Sequence, residues 1–479
     1  MVDVYKCGHM EQYRPGTNKV YSYLCARSNK TYSECLFFGL QYYLQEYLSR
    51  PIKAWMAEEF IETRTKILGS TSNDVRDKIR SLANLGYWPL KIKSIPEGTI
   101  VPTKNALMTM ESTHPDFYWT VGFVESLLLK VWYPTTVATN VLQYRRVVDK
   151  QWDKTDNSDI KFLRDFAVHD FGYRSDSSEE SAAISGAAHL ILFKGSDTVP
   201  ALGFINKYYE NTNNDPIMLS VPATEHSVMC SFGKDNEYDA FERILELYPE
   251  GIVSIVSDTY DIWHVCTEYL PKLKDRILSR KGKVVIRPDS GNPPDIICGL
   301  PGTEHFTDIK HHTPEAKGVL RLLDEQFGHT INNRGFRVLN EKIGLIYGDG
   351  QYLERYKTTL DRMEKMGYAA SNLVVGIGGI LRQGTRDTLG FALKATHVEV
   401  KGEPIDIIKT PVTDMGKASH TGLFKVYRDF DGKIFTHDQA TRYEEGESIL
   451  ETVFLNGKLH NQLTFDQVKK NYKDSVCLI

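Results

Sequence analysis

Ile286-Arg287-Pro288-Asp289-Ser290-Gly291-Asn292-Pro293 follows Val284 and Val285, so three apolar residues run straight into a cation, an anion, a hydroxyl and a glycine, closed by Pro293 and Pro294. The apolar run predicts a short buried strand. Charges crowded at the C-terminal end of a strand enter a core only at high cost. They read either as a polar turn with an internal Arg–Asp pair or as part of a site at the mouth of a parallel sheet or barrel, where such folds place their chemistry.

The same design recurs. Ile252-Val253-Ser254-Ile255-Val256 leads into Ser257-Asp258-Thr259-Tyr260-Asp261, Ile343-Gly344-Leu345-Ile346-Tyr347 into Gly348-Asp349-Gly350, and Leu373-Val374-Val375 into Gly376-Ile377-Gly378-Gly379. Helical patterns lie between them. After Gly350, Leu353, Tyr356, Leu360, Met363 and Met366 keep a period near 3.6, and Gly367 suits a helix C-cap. Alternating strand, loop and helix predicts a parallel α/β unit with its loops on one face. Two of those loops are glycine-rich and open toward helices, which suits a phosphate held by backbone N–H groups and a helix dipole.

The flanks read differently. Residues 35–64 carry a helical face of Phe37, Leu40, Gln41, Leu44 and Leu48, followed by Pro51. Leu90, Ile92 and Ile95 alternate with Lys91 and Lys93 before a Pro96-Glu97-Gly98 turn, which predicts antiparallel β structure. From about 390 the chain is again β-rich, with Thr396 to Lys401, Leu423 to Tyr427 and a turn at Asp429 to Lys433. The expected fold class is therefore α/β: a central α/β domain at 159–389 and a second, β-rich α+β domain built from both chain ends, 1–158 and 390–479.

Composition narrows the function classes. A hydrophobic fraction of 41% with 25% charged residues is that of a globular protein, and the net charge of −4 comes without a basic run, so nucleic acid is not expected as a partner. The seven cysteines are scattered without a CxxC, which favours a reducing cytoplasm over a disulfide framework or zinc site. The first residues contain no apolar h-region, and no run approaches the ~18 apolar residues of a membrane span. Neither a signal peptide nor a membrane partner is expected.

Three further stretches are rich in functional groups. His169-Asp170-Phe171-Gly172-Tyr173-Arg174 is either a core aromatic cluster with a surface arginine or a stacking platform for a flat ring with a phosphate nearby. Lys194-Gly195-Ser196-Asp197-Thr198 follows apolar Leu190 to Phe193 and reads as one more polar loop at a strand end. Asp197 there is a turn residue or an acceptor for a substrate N–H. In Val221 to Ser227, His226 is a structural histidine, a general base or a phosphate contact, with Asp258 available to orient it. No GxSxG or HExxH occurs, which leaves triad hydrolases and zincins without support.

Taken in order, these residues closely resemble the nicotinamide phosphoribosyltransferases, a family of type II phosphoribosyltransferases. The resemblance runs from Asp3-Val4-Tyr5-Lys6 through Phe38-Gly39-Leu40-Gln41-Tyr42, Trp132-Tyr133-Pro134, His169 to Arg174, Glu225-His226-Ser227, Ile286 to Pro293, Gly348 to Gly350 and Gly376 to Gly379 to Thr385-Arg386-Asp387. It implies a distorted α/β barrel with a β-rich domain, a homodimer with shared active sites, and transfer of phosphoribosyl from 5-phosphoribosyl 1-pyrophosphate to nicotinamide in NAD salvage. Mg2+ and ATP, the latter as a stimulating co-substrate, are the implied cofactors. Carried over by motif, Phe171 stacks on the pyridine and Tyr5 of a partner subunit covers its other face. Asp197 accepts the carboxamide N–H, Arg287 lies near the ring and Arg174 near phosphate. Asp289 lies by the ribose, while Gly348, Asp349, Gly378 and Gly379 line the ribose-phosphate pocket. Arg386 and Lys394 meet phosphate or pyrophosphate, and His226 is the histidine phosphorylated by ATP. His226, Asp258, Arg287 and Asp289 are then the catalytic candidates. The metal ligands stay unassigned.

This chain departs from the family in one place that bears on ATP. Where the family carries a lysine-rich stretch, Gly416 to Leu423 retains only Lys417 as a fixed charge, so weaker ATP coupling is expected. Only four residues precede Tyr5 here, so a more mobile Tyr5 is also expected. The alternatives are a nicotinate phosphoribosyltransferase, which an aspartate at 197 would disfavour by repelling a carboxylate substrate, a non-catalytic relative acting as a binding protein, and an unrelated barrel hydrolase or aldolase.

Overall fold

The computed structural model describes residues 2–27, 31–211, 216–304, 312–413, 418–440 and 448–477. The chain forms two compact units: residues 1–139, 203–214 and 384–479 make one, and residues 140–202 and 215–383 the other.

The first unit is built on a seven-stranded sheet, in the order Glu403–Asp406, Ala392–Val400, Thr17–Cys25, Ala106–Ser112, Leu90–Ser94, Glu451–Leu455, Lys458–Leu459. All its described pairings are antiparallel. Leu90–Ser94 alternates buried and half-buried residues as its sequence predicts. Around 35–64 the helical reading holds only in part. Glu34–Leu36 is a strand paired with Ile100–Pro102, followed by the short helical turns Leu40–Tyr43 and Leu44–Leu48, and a new helix starts at Ala54. Buried Cys35, Leu36 and Phe37 satisfy a strand and a helix pattern equally well over so few residues.

The second unit holds the four strands read from the sequence. Glu250–Val256, Lys281–Arg287, Ile343–Tyr347 and Leu373–Ile377 lie parallel and neighbouring, with Val168–Asp170 as a fifth parallel strand beside Leu373–Ile377. Their alternating Val, Ile and Leu side chains are almost wholly buried, for example Val253, Ile255, Val284, Ile286, Leu345 and Val375. Isolated parallel bridges Asp170–Ser196, Gly195–Leu219 and Ala223–Ser254 carry the pairing from the fifth strand back to the first. The ring closes as a barrel whose last arc is made by single bridges instead of full strands. Every strand in it runs the same way, so all the polar loops noted above emerge at one end.

Helix Leu353–Lys365 buries Tyr356, Leu360 and Met363, and Gly367 takes the left-handed φ of +80° just beyond its C-cap. Leu190 to Phe193 is not a strand. It is the end of helix Glu179–Leu190 and the turn after it, the helix being started by Ser178, whose Oγ accepts the Ser181 N–H at 3.1 Å. Of residues 182–188 only Ala183 is half-buried and the rest are buried, so beyond the exposed Glu179 and Glu180 the helix shows almost no polar face to announce its period.

Candidate functional site

A cleft of ≈ 590 Å³ opens at the C-terminal end of the barrel strands. It brings together nine of the predicted residues: Phe171, Arg174, Asp197, Arg287, Asp289, Gly348, Asp349, Gly378 and Gly379. His226 and Asp258 adjoin it through Asp289. Tyr5, Arg386 and Lys394 belong to the other unit. There Tyr5 is exposed on the short 3-10 turn Val4–Gly8, with its ring edge-on to His9. Lys394 lies on strand Ala392–Val400, where burial, then the nearby Lys409 charge, lower its pKa. Arg386 is half exposed and pairs with Asp387 at 2.8 Å. Lys417 falls outside the described residues.

The ring platform comes from the loop after Val168–Asp170. Phe171 N–H bonds the Ile377 carbonyl at 3.0 Å, and its ring packs closely on the neighbouring strand at residue 376, which has no side chain. A Cβ on Gly376 would stand 2.0 Å from Phe171 Cε2. The Arg287 guanidinium carbon sits 5.9 Å from the Phe171 ring centroid, leaving a flat face and a cation side by side. The Arg287 Nε is buried without a hydrogen-bond partner among the described residues, a donor that a bound group could satisfy.

Asp197 stands at the other edge. Its Oδ1 accepts from Ser220 Oγ at 2.5 Å and contacts His169 Nε2 at 3.1 Å, while no bond to Oδ2 is found among the described residues. Burial pushes its carboxyl up, but the bonds from His169 and Ser220 outweigh this and hold it below the usual carboxylate range. Gly195 makes room for His169: a Cβ there would lie 2.7 Å from the His169 Nδ1.

The RPDSGNP loop is organised by Asp258. Its Oδ2 accepts from the Asp289 N–H at 2.8 Å and from the Ser290 hydroxyl at 2.5 Å, and the buried Oδ1 has no hydrogen-bond partner among the described residues. Gly291 bends the chain at φ +93°, and Tyr347 OH donates to the Ser290 carbonyl at 2.6 Å. Gly348 is required by proximity, since a Cβ there would meet Asp289 Oδ1 at 2.3 Å. His226 Nε2 lies 3.7 Å from Asp289 Oδ2 and 3.9 Å from Asp258 Oδ1, ion-pair distances too long for hydrogen bonds. Thr259 Oγ1 stands within hydrogen-bond distance of His226 Nδ1 at 3.2 Å, so its hydroxyl and the more distant Asp258 carboxylate both face the ring.

The two glycine-rich loops differ. Gly348 to Gly350 leads into the 13-residue helix Leu353–Lys365, but Gly379 opens only a four-residue 3-10 turn, Gly379–Arg382. The latter offers exposed N–H groups without an appreciable helix dipole. Sequence reading missed the groups beneath the cleft: Arg382, Asp170 and Asp176, whose buried side chains pair, and Glu237, 2% exposed. Burial, then the charges of Asp261 and Asp258, raise the Glu237 pKa to about 7. Asp170 stands in the His169 to Arg174 stretch but receives no role from the sequence, and Arg382, Asp176 and Glu237 fall in no motif.

Comparison with known proteins agrees with this geometry. Residues 166–475 match the model of the nicotinate phosphoribosyltransferase (NAPRTase) family, and residues 1–70 match that of the nicotinamide phosphoribosyltransferase N-terminal domain. The nicotinamide phosphoribosyltransferase of Acinetobacter baylyi is 39% identical over 99% of this chain and 98% of its own length, and that of Xanthomonas campestris 38% over 98% and 96%. The namesake from Mycoplasma pneumoniae is 32% identical over 88% of this chain and 94% of its own. Among solved structures, human nicotinic acid phosphoribosyltransferase aligns over 100% of this chain and 94% of its own with a TM-score of 0.60 at 14% identity. The nicotinate-nucleotide pyrophosphorylase of Pyrococcus furiosus gives 0.61 at 14%, over 100% and 95%. These two establish likeness of fold.

Proposed function

The chain belongs to the nicotinate phosphoribosyltransferase family, and from that membership we infer that it is a nicotinamide phosphoribosyltransferase of NAD salvage. It transfers phosphoribosyl from 5-phosphoribosyl 1-pyrophosphate to nicotinamide, giving nicotinamide mononucleotide and pyrophosphate. The pyridine nitrogen supplies the electron pair of the new bond to the ribose C1, and the C1–O bond to pyrophosphate breaks with its pair on the leaving oxygen. Positive charge builds on the ribose carbon as that bond opens. No protein nucleophile is needed. The residues bind, align and neutralise.

Within that reaction Phe171 and Arg287 hold the ring, and Asp289, Gly348, Asp349, Gly378, Gly379 and Arg174 hold ribose and phosphate. The observation that favours nicotinamide over nicotinate is Asp197. It is an ionised carboxylate whose Oδ2 is open to an amide donor and would repel a carboxylate substrate. Among the described residues no three His, Cys, Asp or Glu side chains converge as a protein-only metal site requires. Mg2+ is held differently, by one or two carboxylates, waters and substrate phosphates, and the carboxylates of Asp289 and Asp349 line the cleft. Asp289 and Asp349 would hold it, and it would neutralise the leaving pyrophosphate.

We further propose that ATP phosphorylates His226, that the enzyme is a cytoplasmic homodimer, and that Tyr5 of one subunit closes the ring site of the other. The exposure of the Tyr5 ring and the accessible His226 support these readings. Incubation with 5-phosphoribosyl 1-pyrophosphate, Mg2+ and either nicotinamide or nicotinate, with and without ATP, tests the assignment by mononucleotide formation. Product from nicotinate alone would overturn it.

A further inference from the structure

We propose that Arg382 is a positioning residue: it ties together the loops that carry Phe171 and Arg174, Asp197, and Gly378–Gly379, and so sets the geometry of both halves of the site. The proposal rests on the reading of the cleft given above.

Arg382 ends the 3-10 turn that begins at Gly379, and its side chain is 4% exposed. Its Nη2 donates to Asp170 Oδ2 at 2.9 Å, and Nη1 lies 2.8 Å from Asp170 Oδ1. Its Nε donates to Asp176 Oδ2 at 2.5 Å. The two carboxylates bracket the loop 171–175, and their side chains are 0% and 1% exposed. A third contact reaches Thr198, beside Asp197: Arg382 Nη2 is 3.4 Å from Thr198 Oγ1. One guanidinium therefore touches all three loops.

The loops are also cross-bonded around it. The Asp197 N–H donates to the Asp170 carbonyl at 2.9 Å, and the Gly172 N–H to Asp170 Oδ1 at 2.8 Å. Ser196 Oγ donates to Asp170 Oδ2 at 3.4 Å and accepts the Thr198 N–H at 3.1 Å. Gly172 is a steric signature of the arrangement, since a Cβ there would stand 1.9 Å from Arg382 Nη1. Burying three charges would be costly for stability alone, because apolar packing of the same volume serves as well or better. What the fixed fork of a guanidinium adds is direction: it holds two carboxylates at set angles in a way that a point charge does not.

The loops held by this cluster serve both halves of the site, Phe171 and Asp197 toward the ring and Arg174, Gly378 and Gly379 toward ribose and phosphate, so both substrates should feel its loss. Arg382→Lys keeps the charge but loses the fork. The KM values for nicotinamide and for 5-phosphoribosyl 1-pyrophosphate should both rise, each by about tenfold, within the ~10²-fold that a misplacement of about 1 Å can cost. Gly172→Ala, which displaces the guanidinium without changing any charge, should give the same rise in both, and it serves if the lysine variant is insoluble. Leu323→Ala, in a buried helix position away from the cleft, is the control for instability alone. Unchanged KM values in Arg382→Lys and Gly172→Ala, or the same rises in Leu323→Ala, would overturn the positioning role. A wild-type enzyme without activity on nicotinamide would instead overturn the functional reading, so the two failures are distinguishable.

Discussion

Asp197→Asn tests base selection directly. The structure gives Asp197 two partners on Oδ1, Ser220 and His169, both of which an asparagine carbonyl oxygen could also engage. The change therefore removes charge with little change of shape. A nicotinate carboxylate in the carboxamide's place, at about 4 Å, would be repelled by about 4 kcal/mol at an effective dielectric near 20. The Asp197 side chain is 49% exposed, so solvent screening reduces this to about 1–2 kcal/mol. Nicotinamide in turn exchanges an ionised acceptor for a neutral one, a loss of about 1 kcal/mol. Together the ratio of kcat/KM values should move toward nicotinate by about 30- to 150-fold. Steady-state mononucleotide formation from each base measures it. In the wild type the preference should persist on acidification well into the usual carboxylate range, because the folded pKa of Asp197 is depressed, and it should be lost only as the pH falls through that lowered value. An unchanged ratio in the variant would remove Asp197 from the ring pocket and refute the argument.

Three other outcomes are expected. Mixing Tyr5→Ala with Arg287→Ala protein should restore part of the activity that each lacks, because a mixed dimer rebuilds one intact site; silence in dimers shown to exchange subunits would count against sharing. His226→Ala should lose acid-labile label from γ-labelled ATP and lose ATP stimulation while keeping some ATP-independent transfer; Thr259→Val, which removes the hydroxyl facing Nδ1, should slow labelling, and equal label on wild type and His226→Ala would sink the assignment. Glu237, with a folded pKa raised from 4.5 to about 7, favours the folded state when protonated and loses stability as pH rises between those values, a span of about 3 kcal/mol. Glu237→Gln should therefore raise Tm at pH 8 with little effect at pH 4, as read by thermal melts across pH.

The strand-end motifs were legible because each pairs a short apolar run with a loop whose chemistry does not suit a core. Four strands and the helix Leu353–Lys365 follow from that pattern, with boundaries shifted by a few residues. Gly348 and Gly376 were legible as glycines but not for their reason. Gly348 makes way for the Asp289 carboxylate and Gly376 for the Phe171 ring, contacts across neighbouring strands that no local pattern encodes. The buried helix Glu179–Leu190 hid the end of its own element, and the short run at Cys35 to Phe37 fitted two periods at once.

By itself the sequence determined the parallel α/β unit, the β-rich flanks, the family, and most of the residues that meet in the cleft, because period, turn chemistry and ordered motifs are local properties of the chain. Only the tertiary structure decided that isolated bridges close the barrel, that Thr259 joins Asp258 beside the His226 ring, and that Arg382 joins Asp170, Asp176 and Thr198. Those are pairings between residues up to 212 positions apart. Their strength depends on a hydrogen-bond distance of about 3 Å and on burial, and neither quantity exists until the strands are in register and the loops share one end of the barrel.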